Sequence, residues 1–177
     1  MPIFARTKMI LQDDCWDISG PEMKWSYSGP NPHLAYKKIK DMFLTVWNVK
    51  ESERVQEKEF VWDREGKKEK FNVSWEISKD VDRFSYIYSR ISISGEATET
   101  ENGKEGKLNV HIDGVLRTEY PQDTVWERSI FYEMARVFWH KVLYQEQRRN
   151  YQDECRKLMK VFLEELKSFF NLLPKMM

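Results

Sequence analysis

Cysteine, glycine and proline are all scarce in this chain, and each scarcity excludes something. Two cysteines, Cys15 and Cys155, fall short of a disulfide framework or a zinc site, so reduced thiols in a cytoplasm are the expectation. With seven glycines there is no Gly-rich phosphate loop, which removes kinases and P-loop nucleotide hydrolases. No apolar run approaches the roughly 20 residues needed to span a bilayer. Met1 to Asp14 lacks the basic region and apolar block of a secretory signal. Charge of one sign is missing too, since 29 basic and 29 acidic residues give a net charge of zero. That balance offers a polyanion or an anionic membrane no handle. Lys37, Lys38 and Lys40, and then Arg148 and Arg149, are short basic clusters with acids nearby, so no nucleic acid partner is expected. Internal repeats and Pro/Ser-rich linkers are absent, and 177 residues suit one domain.

What the chain does have is aromatic residues, at 14% of the total, and a long stretch with no helix breaker. Residues 122–173 contain neither glycine nor proline. Trp126, Ile130, Met134, Val137 and Phe138 make one apolar seam there, and Phe131, Ala135, Trp139 and Val142 a second. After six polar residues, Tyr151, Cys155, Leu158, Phe162, Leu166, Phe169 and Leu173 recur at spacings of four and three. One straight helix over this stretch would run about 75 Å, too long for a domain of this size. A kink or break is therefore expected near Arg148 to Asn150, inside the polar interruption. The alternative is a projecting half whose seam needs a partner helix.

Upstream the period changes. Met23, Trp25 and Tyr27 alternate with polar residues as a short strand, and Ile3 to Leu11 is compatible with another. Asn31-Pro32 opens an amphipathic helix whose stripe is Ala35, Ile39, Met42, Phe43 and Val46, ending near Asn48. Arg54 to Tyr120 then reads as four strands with short turns at Glu65-Gly66-Lys67, Ser78 to Asp82 and Asn102-Gly103. In the third, Phe84, Tyr86 and Tyr88 face one way and Ile87, Ile91 and Ile93 the other, which places it centrally. In the last, Leu108, Val110, Ile112, Leu116 and Tyr120 take one side. The fold class is α+β: an antiparallel meander packed against an early amphipathic helix and a long C-terminal helix.

Catalytic candidates are few. His111 and Asp113 share a strand face with Asn109, Arg117 and Glu119, which reads as a solvated surface. His33 and His140 stand apart from each other and from any ligand set, so no metal is expected. Glu57, Glu59 and Asp63 read as one face, paired across the hairpin with Lys68 and Lys70. Cys155 falls on an apolar seam as a buried, inert thiol. No residue pattern names a cofactor or a reaction.

The order of strand, helix, antiparallel meander and long terminal helix over residues 22–147 resembles the START-like helix-grip superfamily. The resemblance implies a hydrophobic cavity between sheet and terminal helix, suited to an apolar small molecule. Trp75, Phe84, Tyr86, Tyr88, Trp126 and Trp139 are its candidate lining, with His140 as a polar contact. Binding of such a ligand without catalysis is the first expectation. The second is a protein-interaction module, a homodimer through the Tyr151 to Leu173 seam.

Overall fold

A computed structural model describes residues 8–16, 22–49, 54–101, 103–121, 124 and 126–172. Strands β1 (Lys8–Asp14) and β2 (Glu22–Pro30) precede helix α1 (Leu34–Thr45). Strands β3 (Val55–Glu65), β4 (Lys68–Asp80), β5 (Ser85–Thr100) and β6 (Gly103–Pro121) follow. A 3-10 turn (Trp126–Arg128), helix α2 (Ile130–Phe138), a π turn (Trp139–Leu143) and helix α3 (Gln145–Leu172) complete the described chain. The expected strand from Ile3 lies partly outside the described residues, and its described part runs on to Asp14.

The meander forms as the alternation predicts, in the order β6-β5-β4-β3, entirely antiparallel. Gly66 takes the left-handed conformation at the β3–β4 turn, and β5 and β6 close on the pair Thr100–Gly103. Strand β6 has a double load on its other edge. Its residues 105–113 pair with β2 and its residues 115–121 with β1, so the two N-terminal strands lie end to end along it. Gly114 falls at the junction, where its carbonyl accepts from the Cys15 amide at 3.1 Å.

One face of this sheet carries the core. Phe71, Val73, Trp75 and Ile77 of β4, Ile87, Ile91 and Ile93 of β5, and Leu108, Val110, Ile112 and Leu116 of β6 are all buried. Both long helices cover them: α1 through Ala35, Ile39, Met42 and Phe43, α3 through Cys155, Leu158, Met159, Phe162, Leu163, Leu166 and Phe170. The α3 seam, which would need a partner only if it projected, is buried against the chain's own sheet at Cys155, Leu158, Phe162 and Leu166 and half-buried at Tyr151 and Phe169, while Leu173 lies outside the described residues. Packing under α3 is tight enough that a Cβ on Gly114 would lie 1.4 Å from Met159 Cε.

Four local expectations need correction. First, α1 opens at Leu34 rather than at Asn31, because Asn31 adopts φ 53° and its carbonyl, not its side chain, accepts from the Leu34 amide. Its other end is as read: Asn48 is left-handed (φ 53°) and the Val49 amide turns back to the Phe43 carbonyl. Second, Glu57 and Glu59 do not share a face. The register slips between them, leaving Lys58 as an extra residue, so Glu57 lies opposite Trp75 and Glu59 opposite Ser74. Glu57 consequently accepts from Trp75 Nε1 at 3.0 Å and Tyr36 Oη at 3.1 Å, while Glu59 accepts from Asn72 at 2.9 Å. Third, Cys15 and Cys155 are not free thiols; they form a disulfide that ties the end of β1 to the middle of α3. Spacing along the chain hides this, since 140 positions separate them and only the sheet brings β1 beneath α3. Fourth, residues 148–150 are regular helix. The interruption falls earlier, at the π turn and Tyr144. The polar run from Gln145 forms the first turns of α3 instead of breaking it.

Candidate functional site: an outward apolar helical face

The segment from Thr124 to Tyr144 is well specified locally. Thr124 and Glu127 cap each other reciprocally, with Thr124 N donating to Glu127 at 2.8 Å and Glu127 N to Thr124 Oγ1 at 3.2 Å. Ser129 then caps α2, its Oγ accepting from the Tyr132 amide at 3.2 Å. The chain continues without a break into the π turn, closed by the Tyr144 amide donating to the Trp139 carbonyl at 2.8 Å. Residues four apart in an α-helix drift by about 40° around the axis. The extra residue of the π turn takes up that drift, so Arg136, His140 and Tyr144 all point inward.

That inward face is the polar one. Tyr144 Oη donates to Asp82 and lies 2.7 Å from Ser85 Oγ, which in turn is 3.0 Å from Thr118 Oγ1. Asp82 also receives the amides of Phe84 and Ser85 at 2.7 and 2.6 Å. His140 Nδ1 lies 2.9 Å from Tyr120 Oη, and its Nε2 accepts from Arg148. A guanidinium only donates, so the neutral ring carries its proton on Nδ1 and gives it to Tyr120. Arg148 Nε is 3.4 Å from Asp13 Oδ2, which joins the network to β1. Arg136 pairs with Glu133 and stands 5.6 Å above the Tyr120 ring. Burial pushes the Tyr144 and Tyr120 hydroxyls above the usual tyrosine range, helped at Tyr144 by its bond to Asp82. Burial first, and then the Arg148 charge, hold His140 below the usual imidazole range.

The outward face is apolar. Ile130 and Phe131 are each 71% exposed, and Trp126 and Met134 each 66%. Val137, Phe138, Trp139, Val142 and Leu143 are exposed beside them. Ile130, Met134, Val137, Phe138 and Val142 line an open groove whose charged lining residues, among those described, are Glu133 and Lys141. Four aromatic and apolar-ring side chains at about 200 Å2 each, roughly 60% exposed, leave on the order of 500 Å2 in water. The aliphatic members take the patch past the largest usually found on a monomer, about 300–600 Å2.

The seven residues proposed as a ligand lining are not brought together. Trp75 is fully buried, edge-on to Phe43 at 5.8 Å. Tyr86 and Tyr88 lie on the opposite sheet face, where Tyr86 donates to Glu119 at 3.0 Å and Arg117 covers Tyr88 at 4.0 Å. Trp126 and Trp139 are on the outward face of the helical segment. Phe84 and His140 do meet a common neighbour, Tyr120, the first stacked on it at 6.2 Å. His111 and Asp113 lie on the outer sheet face with Asn109, as their alternation implies. Among the described residues, no three of His, Cys, Asp and Glu are grouped to hold a metal ion. Nor is any described helix long and apolar enough to cross a membrane.

The sequence reading missed that Ile130, Phe131, Met134 and Val142 face outward. A signal was available: Ser129, Tyr132, Arg136, His140 and Tyr144 recur at spacings of three and four, a polar stripe as regular as the apolar seams.

No family model matches the chain, and no curated protein is similar to it. Among solved structures, it is similar to the protein of unknown function SA2116 from Staphylococcus aureus, at 13% identity. That alignment covers 92% of this chain and 93% of the other, with a TM-score of 0.27. A likeness of that strength does not bear on function.

Proposed function

We propose that this protein is an interaction module that docks onto a protein surface through the outward face of residues 126–143. One observation carries the reading: α2 and the π turn are inverted, with their polar side bonded to the sheet and their apolar side in water. An exposed apolar stripe of this size on a lone monomer is unfavourable, by about 25 cal/mol for each Å2 left hydrated. The inward hydrogen bonds hold that stripe in a fixed position, which is what a docking element requires. The apolar-ligand reading has less to stand on, because Met159, Phe162, Ile91 and Ile112 belong to the core that fills the space between α3 and the sheet.

Hydroxyl-radical footprinting of the native protein, with the particle mass measured alongside, tests this. In a 21.4 kDa monomer Trp126, Phe131 and Met134 should oxidise at the rate of exposed residues. In the associated protein the same three should be protected. Slow oxidation in a proven monomer would mean that the face is folded inward, and the reading would fall.

A further inference from the structure

Resting on that docking face, we infer that its partner is a second copy of this chain, bound as an antiparallel pair of the helical segments 130–143, α2 with its π turn, about a two-fold axis at Val137. The charges specify this arrangement. Glu133 and Lys141 are the two charged residues of the apolar groove, and each is four positions from Val137. Two helices crossing antiparallel at Val137 set residue 137−n of one copy opposite 137+n of the other. Glu133 of each copy then meets Lys141 of its partner, twice, as a two-fold interface demands. A parallel pair would place like charges together. Glu133 already pairs with Arg136 in its own chain, and a carboxylate has acceptor capacity for both cations.

The apolar positions suit a helix–helix contact. Ile130, Met134, Val137, Phe138 and Val142 follow the three-and-four spacing with which one helix packs ridges into the grooves of another. Met134 falls at the level of the partner's His140, whose side chain is turned inward, so it packs against the groove residues on either side, the partner's Val137 and Lys141, and Val137 meets itself. The exposed apolar patch is comparable with the roughly 800 Å2 per partner that a stable complex covers. A membrane surface fits less well. Interfacial helices carry a basic polar face toward the headgroups, whereas here the polar face is turned onto the sheet and the whole segment has three basic residues, Arg128, Arg136 and Lys141, against Glu127 and Glu133.

The test uses the full chain at micromolar concentration in analytical ultracentrifugation. Wild type should sediment at twice 21.4 kDa. Lys141→Glu and Glu133→Lys should each weaken dimerisation at least tenfold, and an equimolar mixture of the two should dimerise again. A melting curve on each variant checks that it is folded. Because the described cysteines are both engaged, Val137→Cys supplies a single new thiol, which should cross-link two copies under mild oxidation far faster than Val142→Cys does. A dimer that ignores both charge changes and does not cross-link at position 137 would overturn this geometry and leave the docking reading standing. A monomer that binds phosphatidylcholine–phosphatidylglycerol vesicles would overturn both and assign the face to a membrane. A monomer with its face exposed and vesicles unbound would overturn the two-copy inference alone.

Discussion

Reduction of the Cys15–Cys155 disulfide is the perturbation with the largest expected effect on stability. The bond closes a loop of 140 positions, and the chain-entropy relation gives about 17 cal/mol/K, or ~5 kcal/mol at 25 °C. Native disulfides lose about 2–5 kcal/mol on removal, so the expectation is the upper part of that range. The folded state gives reduction little to disturb. Cys15 keeps its amide bond to the Gly114 carbonyl, and its own carbonyl accepts from Arg156 Nε at 2.7 Å. Asp13 keeps its ion pair with Arg148. The cost therefore falls on the unfolded state, which regains the freedom of a long loop. At roughly 2–4 °C per kcal/mol for a chain of this size, the melting temperature should drop by about 10–20 °C in a phosphine reductant. Circular dichroism at 222 nm before melting should be unchanged. A Cys15→Ala, Cys155→Ala variant should melt near the reduced wild type and ignore the reductant. Two titratable thiols in guanidinium without reductant, or a melting temperature indifferent to reduction, would refute the reasoning.

Three further outcomes follow from the described contacts. His140 and His33 both have lowered proton affinity in the folded state, so the unfolded chain binds more protons below about pH 6.5. Stability should be full above that value and fall as pH drops through it; His140→Gln should flatten the slope in urea titrations between pH 7 and 5, leaving the part due to His33. Gly106→Ala places a Cβ 1.9 Å from the Glu96 carbonyl oxygen, a backbone atom, whereas Gly114→Ala meets the flexible end of Met159. Equilibrium unfolding should therefore show the larger loss at Gly106, with Gly114→Ala costing about 1–3 kcal/mol. Tyr144→Phe removes the link to Asp82 and Ser85 and should cost about 1–2 kcal/mol, with faster amide exchange through the π turn as its local mark.

Much of this fold was legible because local pattern and burial agree. Phe71, Val73, Trp75 and Ile77 alternate in sequence and are buried in the structure, and α1 buries most of the stripe its spacing defines. The misses share a cause, which is that the deciding contact lies far away in sequence. Lys58 is extruded because β3 must match β4 on both sides of it, and nothing in Glu57-Lys58-Glu59 announces a bulge. Cys15 meets Cys155 only once β6 has drawn β1 beneath α3. The inversion of α2 is the instructive case. Periodicity reports that a helix has two unlike faces, and burial then assigns the apolar one inward by default. Here Asp82, Ser85 and Tyr120 give the polar face partners, so the default fails. The candidate docking face was thus visible as seams and invisible as a surface.

The double load on β6 has a consequence for how the chain is made. Among the described strands β1 and β2 pair with β6 alone, so both leave the ribosome before their partner exists. About 90 residues separate Pro30 from Pro121, which at ~5–20 residues per second is a wait of about 5–20 s. Meanwhile β3, β4 and β5 can zip in order as they emerge, each onto its predecessor. The sheet should grow backwards, with β1 and β2 joining after the strands that follow them. During that interval Met23, Trp25 and Tyr27 are the segment most in need of a chaperone.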